Sequence, residues 1–163
     1  MKCMKFAAAL SMCLAMGQAF AAQDCTTPTA LTQAGVSGVN SCNETNTVPS
    51  FCVFNTNPSP DVIFSFTLGA GFTATAITLT NSTAGFTPQL VLQQACGSTS
   101  DCTDIGAAAA AGGNATLTLT GKAPGAYFLA VGGASTSVAT DCGTFALSVD
   151  GTLPVQLQKF SVD

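Results

Sequence analysis

Apolar residues recur at every second position in a series of short runs between residues 62 and 149, which is the period of a β-strand with one face in a core. The clearest runs contain Val62 to Leu68, Ile77 and Leu79, Leu90 and Leu92, Leu117 and Leu119, Tyr127 to Val131, and Phe145 to Val149. Weaker strands are predicted near Val36 to Val39 and Phe51 to Phe54. Gly, Pro and Asn between the runs mark turns. About eight strands without an amphipathic helix predict an all-β fold of two packed antiparallel sheets.

The cysteines indicate how such a domain would be stabilised. Of the eight cysteines, Cys3 and Cys13 lie in a segment that we expect to be removed on export. The others are Cys25, Cys42, Cys52, Cys96, Cys102 and Cys142. In an oxidising compartment these form disulfides, and the sequence alone does not fix their connectivity. A structural zinc site is disfavoured, because the chain has no histidine and no paired C-x-x-C motif.

Sequence spacing nevertheless favours one set of disulfides. Cys96 and Cys102 enclose a short, flexible loop, which predicts a local bridge. Cys42 and Cys52 flank a polar insertion and could likewise close on each other. That leaves Cys25 with Cys142, a bridge that would close most of the domain and contribute about 4 to 5 kcal/mol in the chain-entropy model.

Residues 1–21 have the features of a signal peptide. Lys2 and Lys5 give a charged start, the apolar run from Phe6 to Met16 is too short to span a bilayer, and Ala19-Phe20-Ala21 matches a signal-peptidase site. No later stretch approaches the ~20 apolar residues of a transmembrane helix. We therefore predict a secreted product, extracellular or periplasmic, with one domain over residues 22–150.

Composition narrows the classes of function. Beyond the export segment the chain has eight acidic residues against Lys122 and Lys159, and it has no histidine, tryptophan or arginine. Nucleic acid is not an expected partner, because phosphates are neutralised by clustered Lys and Arg. The missing histidine excludes Ser-His-Asp and Cys-His catalytic arrangements. We therefore expect a protein that is not an enzyme.

Three acidic residues remain as candidates for chemistry. Asp101 and Asp104 are a close carboxylate pair, which could serve hydrolysis or bind calcium. The alternative, which we favour, is that both solvate a disulfide loop. Asp61 precedes a predicted strand and is interpreted as a turn residue with structural hydrogen bonds, with calcium binding as the alternative. No calcium loop of the D-x-[DN]-x-[DN]-G type is present, so no cofactor is expected.

Four segments, in order, resemble the strands of a known family. They are Asp61-Val62-Ile63-Phe64-Ser65-Phe66-Thr67-Leu68, Pro88-Gln89-Leu90-Val91-Leu92, Gly125-Ala126-Tyr127-Phe128-Leu129-Ala130-Val131 and Gly143-Thr144-Phe145-Ala146-Leu147-Ser148-Val149. Together they look like the bacterial pre-peptidase C-terminal domain, over roughly Cys25 to Asp150. The resemblance implies a jelly-roll-like β-sandwich appended to secreted enzymes or surface proteins, usually without catalytic activity of its own.

The carboxyl-terminal segment, residues 151–163, has a separate apolar pattern. Leu153, Val155 and Leu157 alternate with polar residues, and Phe160 and Val162 resume the pattern displaced by one residue. The segment could be an edge strand of its own sandwich, a linker, or a strand that completes a neighbouring molecule's sheet.

The sequence thus predicts a secreted, non-catalytic accessory domain that binds an extracellular protein or polysaccharide. One alternative is an extracellular structural subunit that self-associates through residues 153–162. A carbohydrate-binding module ranks third, because sugar rings usually stack on exposed aromatic side chains and the sequence offers few candidates for such a role. This chain has no tryptophan, and its single tyrosine, Tyr127, occupies a predicted strand-interior position.

Overall fold

A computed structural model of the chain describes residues 24–48, 50–51, 55–56, 58–98, 100–108, 110–134 and 140–153. The predicted signal peptide, Cys52 and the segment after Leu153 lie outside these residues. The described strands are β1 (Thr29–Ala30), β2 (Val36–Asn40), β3 (Ser50–Phe51), β4 (Asn55–Thr56), β5 (Val62–Leu68), β6 (Ala76–Asn81), β7 (Pro88–Gln93), β8 (Asp104–Ala107), β9 (Ala115–Thr118), β10 (Gly125–Gly133) and β11 (Thr144–Asp150). A 3-10 helix covers Ser41–Asn43. None of the helices in the described ranges is long and apolar enough to cross a membrane.

The strands form two main sheets, so the predicted all-β sandwich is confirmed. One sheet has five strands in the order β1-β5-β10-β7-β8, and the other has four in the order β2-β11-β6-β9. All pairings in these sheets are antiparallel except β1 with β5, which is parallel. The short strands β3 and β4 pair with each other.

The predicted alternation places one set of side chains between the two sheets. In the five-stranded sheet Leu129 lies opposite both Phe64 and Leu92, and all three are fully buried. Across the core, Phe64 meets Phe145 of the four-stranded sheet edge to face, with ring centroids 6.4 Å apart. Burying each such side chain contributes about 1.5 to 3 kcal/mol, so this contiguous core is the main source of stability.

The five-stranded sheet is also buried on its outer face. Ile63, Ala130 and Val91 lie side by side on three adjacent strands of this face. All three are buried in a second cluster with Val48, which comes from residues 44–48. We call residues 44–48 the strap, because they cross from the 3-10 helix to cover part of this face. Apolar residues on both faces of β5, β7 and β10 explain why these runs are nearly continuous in hydrophobicity.

Four short strands differ from the sequence prediction. Of the strand expected at 51–54, Phe51 lies in β3, and residues 52–54 lie outside the described part of the chain. β1, β4 and β8 were not predicted. β8 carries Gly106, where an added Cβ would lie 2.2 Å from the carbonyl oxygen of Thr116. Glycine is needed there because β8 and β9 approach each other backbone to backbone.

The two sides of the sandwich differ in how their edge strands are arranged. On one side β8 and β9, the edge strands of the two sheets, lie against each other at Gly106 and Thr116. On the other side the edges are β1, which has two residues, and β2, whose pairing with β11 shifts register between Phe145 and Leu147. Short and irregular edges limit unwanted strand pairing.

The predicted disulfide pairings are wrong, although the cysteines do form disulfides. Cys25 bonds to Cys96, and Cys42 bonds to Cys142. Cys102 is also disulfide-bonded, but not to Cys96 as expected from the short loop. Pairing follows which segments meet in the folded sandwich: Cys96 lies just after β7, and Cys25 lies four positions ahead of β1, at the far edge of the same sheet. These bridges join residues 71 and 100 positions apart, which corresponds to ~4 to 5 kcal/mol each in the chain-entropy model.

Candidate functional site

Asp101, one of the candidates for calcium binding or catalysis, closes the loop after β7. Its Oδ2 accepts hydrogen bonds from the backbone N–H groups of Gln94 (2.8 Å) and Ala95 (2.6 Å). Its own N–H donates to Ser98 Oγ at 3.0 Å. The buried Gln93 side chain holds the same loop from inside by donating to the carbonyl of Ser98. This carboxylate is therefore engaged in fixing loop geometry.

Asp104 has different partners from Asp101. Its Oδ2 pairs with Lys122 Nζ at 2.8 Å, and its Oδ1 accepts the N–H of Ile105 at 2.8 Å. Lys122 Nζ also donates to the carbonyl of Thr103 at 3.2 Å. Both charged side chains are only partly buried, so an ion pair of this kind contributes at most about 1 kcal/mol. Asp101 thus fixes the loop after β7, whereas Asp104 pairs with Lys122 and binds the backbone N–H of Ile105.

Asp61 is the most buried acidic residue of the described chain, with an exposed fraction of 0%. Its carboxylate accepts the N–H of Val48 at 2.7 Å, and both of its oxygens lie 3.1 Å from the N–H of Thr47. Its backbone N–H donates to the carbonyl of Thr45 at 3.2 Å. Burial raises the pKa of this carboxyl from 3.8 to about 6, and the hydrogen bonds from Val48 and Thr47 offset part of that rise. The prediction of structural hydrogen bonds is confirmed, but their partner, the strap, was not foreseen.

The described residues contain no group of three or more His, Cys, Asp or Glu side chains that could hold a metal ion. The three candidate acids bind different partners: Asp61 binds the strap, Asp101 binds the loop after β7, and Asp104 binds Lys122.

Tyr127 lies in the core, as predicted. Its exposed fraction is 1%, its ring stacks on Phe66 with centroids 5.8 Å apart, and its hydroxyl donates to the carbonyl of Ala123 at 2.8 Å. Among the side chains that the structure describes, Ile105 is the one large apolar residue that is exposed. The described surface therefore presents no aromatic platform of the kind on which sugar rings stack.

The outer face of the four-stranded sheet carries a regular array of small hydroxyl side chains. We call it the threonine face, and it consists of Thr78, Thr80, Thr116, Thr118 and Ser148. Ser148, Thr78 and Thr116 lie side by side on three adjacent strands. Neighbours across the strands are about 4.8 Å apart and successive outward residues about 6.7 Å apart. The exposed Asp150, at the end of β11 and two positions after Ser148, places a negative charge beside this face.

The sequence contains a signal for this face. The same pattern, Thr-Leu-Thr, occurs at 78–80 and at 116–118, and the register of β6 with β9 brings the two copies onto neighbouring strands. Their leucines point into the core and their threonines away from it. Pairing of the two copies could not be inferred from either run alone.

No protein-family model matches this chain, and no curated protein or solved structure is significantly similar to it.

Proposed function

We propose that this chain is a secreted, non-catalytic binding domain whose threonine face contacts an extracellular protein. One observation supports this above all. Asp61, Asp101 and Asp104, the acids best suited to chemistry, are engaged in hydrogen bonds or an ion pair, whereas four of the five residues of the threonine face are exposed and the fifth, Thr78, is half-buried. A face of short side chains loses little conformational entropy when it is covered.

The wider setting supports the same proposal. Long-range disulfides and the predicted signal peptide suit an oxidising extracellular compartment. The resemblance to the pre-peptidase C-terminal family implies an accessory role beside secreted enzymes or surface proteins. A protein partner is preferred to a polysaccharide, because Tyr127 is buried and the described surface has no exposed aromatic side chain.

The test uses the oxidised, purified protein as immobilised bait for extracellular proteins from its native source. The variant Thr80→Lys/Thr116→Lys places two long charged side chains on the threonine face, and both positions are exposed. The matched control, Thr32→Lys, makes the same change at an exposed position between β1 and β2. We expect the double variant to lose a retained protein that the wild type and the control both keep.

Other results would support other functions. Retention by insoluble polysaccharides, with no protein retained, would favour a carbohydrate-binding module. A wild type that forms oligomers by light scattering, and that becomes monomeric when residues 154–163 are deleted, would favour the self-associating structural subunit. Equal retention by all three forms would show that the threonine face is not the contact surface.

A further inference from the structure

The ionisable side chain of Asp61 holds the strap against the rest of the sandwich. Asp61 immediately precedes β5, and its carboxylate binds the N–H groups of Thr47 and Val48, which lie 14 and 13 positions earlier in the chain. Val48, also fully buried, packs with Ile63 against the outer face of the five-stranded sheet. The carboxylate and the Val48 side chain therefore hold the same piece of backbone, one by hydrogen bonds and the other by apolar contact.

The charged surroundings of Asp61 do not favour its ionised form. Lys122 is the basic residue within the described ranges, and it pairs with Asp104 on β8. The ionisable groups on the elements around Asp61 are Glu44 of the strap, Asp141 ahead of β11, and Tyr127 at the opposite end of β10, while β5 has none. Asp141 is itself buried and accepts the N–H of Thr87 at 2.9 Å. The pKa of Asp61 is raised by burial and lowered by the hydrogen bonds from Val48 and Thr47, so the groups that favour its ionised form are hydrogen-bond donors of the strap.

We propose that Asp61 makes the attachment of the strap sensitive to pH, so that the strap is held more firmly in mildly acidic surroundings than at neutral pH. The chain has no histidine, which is the residue that ordinarily titrates in this range. Asp61 is thus the group placed to provide a response between pH 4 and about 6.

The direction follows from proton linkage. The pKa of Asp61 is about 6 when the strap is attached, against 3.8 for a solvated aspartate. The attached state therefore binds the proton more tightly, and this contribution is complete below pH ~4 and lost as the pH rises through about 6. A difference of about two pKa units corresponds to a change of roughly 100-fold in the ratio of detached to attached strap.

Amide hydrogen exchange at Thr47 and Val48 tests this directly. Protection factors, corrected for the intrinsic pH dependence of exchange, are measured by NMR on the oxidised protein between pH 4.5 and 7.5. We expect protection of these two amides to fall by up to roughly 100-fold across this range. Protection of core amides such as that of Leu129 should change much less. Protection at Thr47 and Val48 that stays constant, or that increases with pH, would overturn the proposal.

Two variants separate Asp61 from other acids. Asp61→Asn keeps the shape of the side chain and one acceptor oxygen, so protection of the strap should become independent of pH. Asp141→Asn, a buried acid that binds a different backbone N–H, should leave the pH dependence in place. If Asp61→Asn does not fold, the carboxyl carbon of Asp61 can be titrated by NMR in the wild type. A midpoint near 6 supports the proposal, and a midpoint at or below 4 overturns it.

Discussion

Leu153 is the last residue of the described chain, and its replacement by alanine tests whether the carboxyl-terminal segment begins inside the sandwich. Leu153 is 5% exposed and belongs to the core between the sheets. Its backbone N–H donates to Gln33 Oε1 at 2.6 Å, while Gln33 Nε2 donates to the carbonyls of Gly151 and Val149. The Gln33 side chain thus binds this backbone much as a neighbouring strand would.

The expected magnitude follows from burial. Removing a well-buried leucine side chain costs roughly 2 to 5 kcal/mol, and the lower half of that range applies here because Leu153 lies at the end of the core. We therefore expect Leu153→Ala to lower the free energy of unfolding by about 2 to 3 kcal/mol. Gln33→Ala should lower it by about 1 to 2 kcal/mol, since it leaves the Leu153 N–H without its acceptor.

Urea unfolding of the oxidised protein measures both effects, as a shift of the midpoint at unchanged m-value. Thr152→Ala is the matched control, because that side chain is exposed and should change stability by less than about 0.5 kcal/mol. A loss below ~1 kcal/mol for Leu153→Ala would refute the reasoning, and would mean that the segment leaves the domain before Leu153. A truncation after Leu153 retains Thr152 and Leu153, and a truncation after Gly151 lacks both. The difference between their free energies of unfolding therefore gives an independent value for the contribution of these two residues.

Three further predictions concern the disulfides, the closed side of the sandwich and catalysis. Non-reducing peptide mapping should recover Cys25–Cys96 and Cys42–Cys142, and a peptide joining Cys96 to Cys102 would contradict the fold described above. Gly106→Ala should destabilise the protein by about 1 to 3 kcal/mol in thermal or urea unfolding, because the added Cβ meets the backbone of β9. Protease, esterase and glycosidase screens should remain at background, whereas turnover that Asp104→Asn abolishes would identify an enzyme.

The sequence predicted the strands well where alternating apolar residues decide which side chains enter the core. Alternation in Val62–Leu68 and Phe145–Val149 placed the correct side chains in the core, since strand periodicity is a local property. It also separated Ile63 and Val91 from that core, and both lie on the outer face of the five-stranded sheet. The burial of that outer face depends on the strap, and no local pattern indicates it.

The remaining features arise from contacts between distant parts of the chain. Cys25 bonds to Cys96, 71 positions away, and not to a cysteine nearer in the sequence. Asp61 was correctly expected to make structural hydrogen bonds, but its acceptor role toward Thr47 and Val48 depends on where the 3-10 helix directs the strap. Gln33 and Leu153 are separated by 120 positions. None of these pairs has a periodic or spacing signature, so the folded arrangement had to be known first.

The close approach of β8 and β9 has a consequence for how copies of this chain could join. Among the described strands of the two main sheets, β1 and β2 are the edges that lie away from the contact between β8 and β9, and both lie on the same side. A fibre that grows by edge pairing needs each copy to offer two separate free sides, one for each neighbour. Two copies that meet through β1 and β2 use the same side of both, so growth through these two strands ends at a pair.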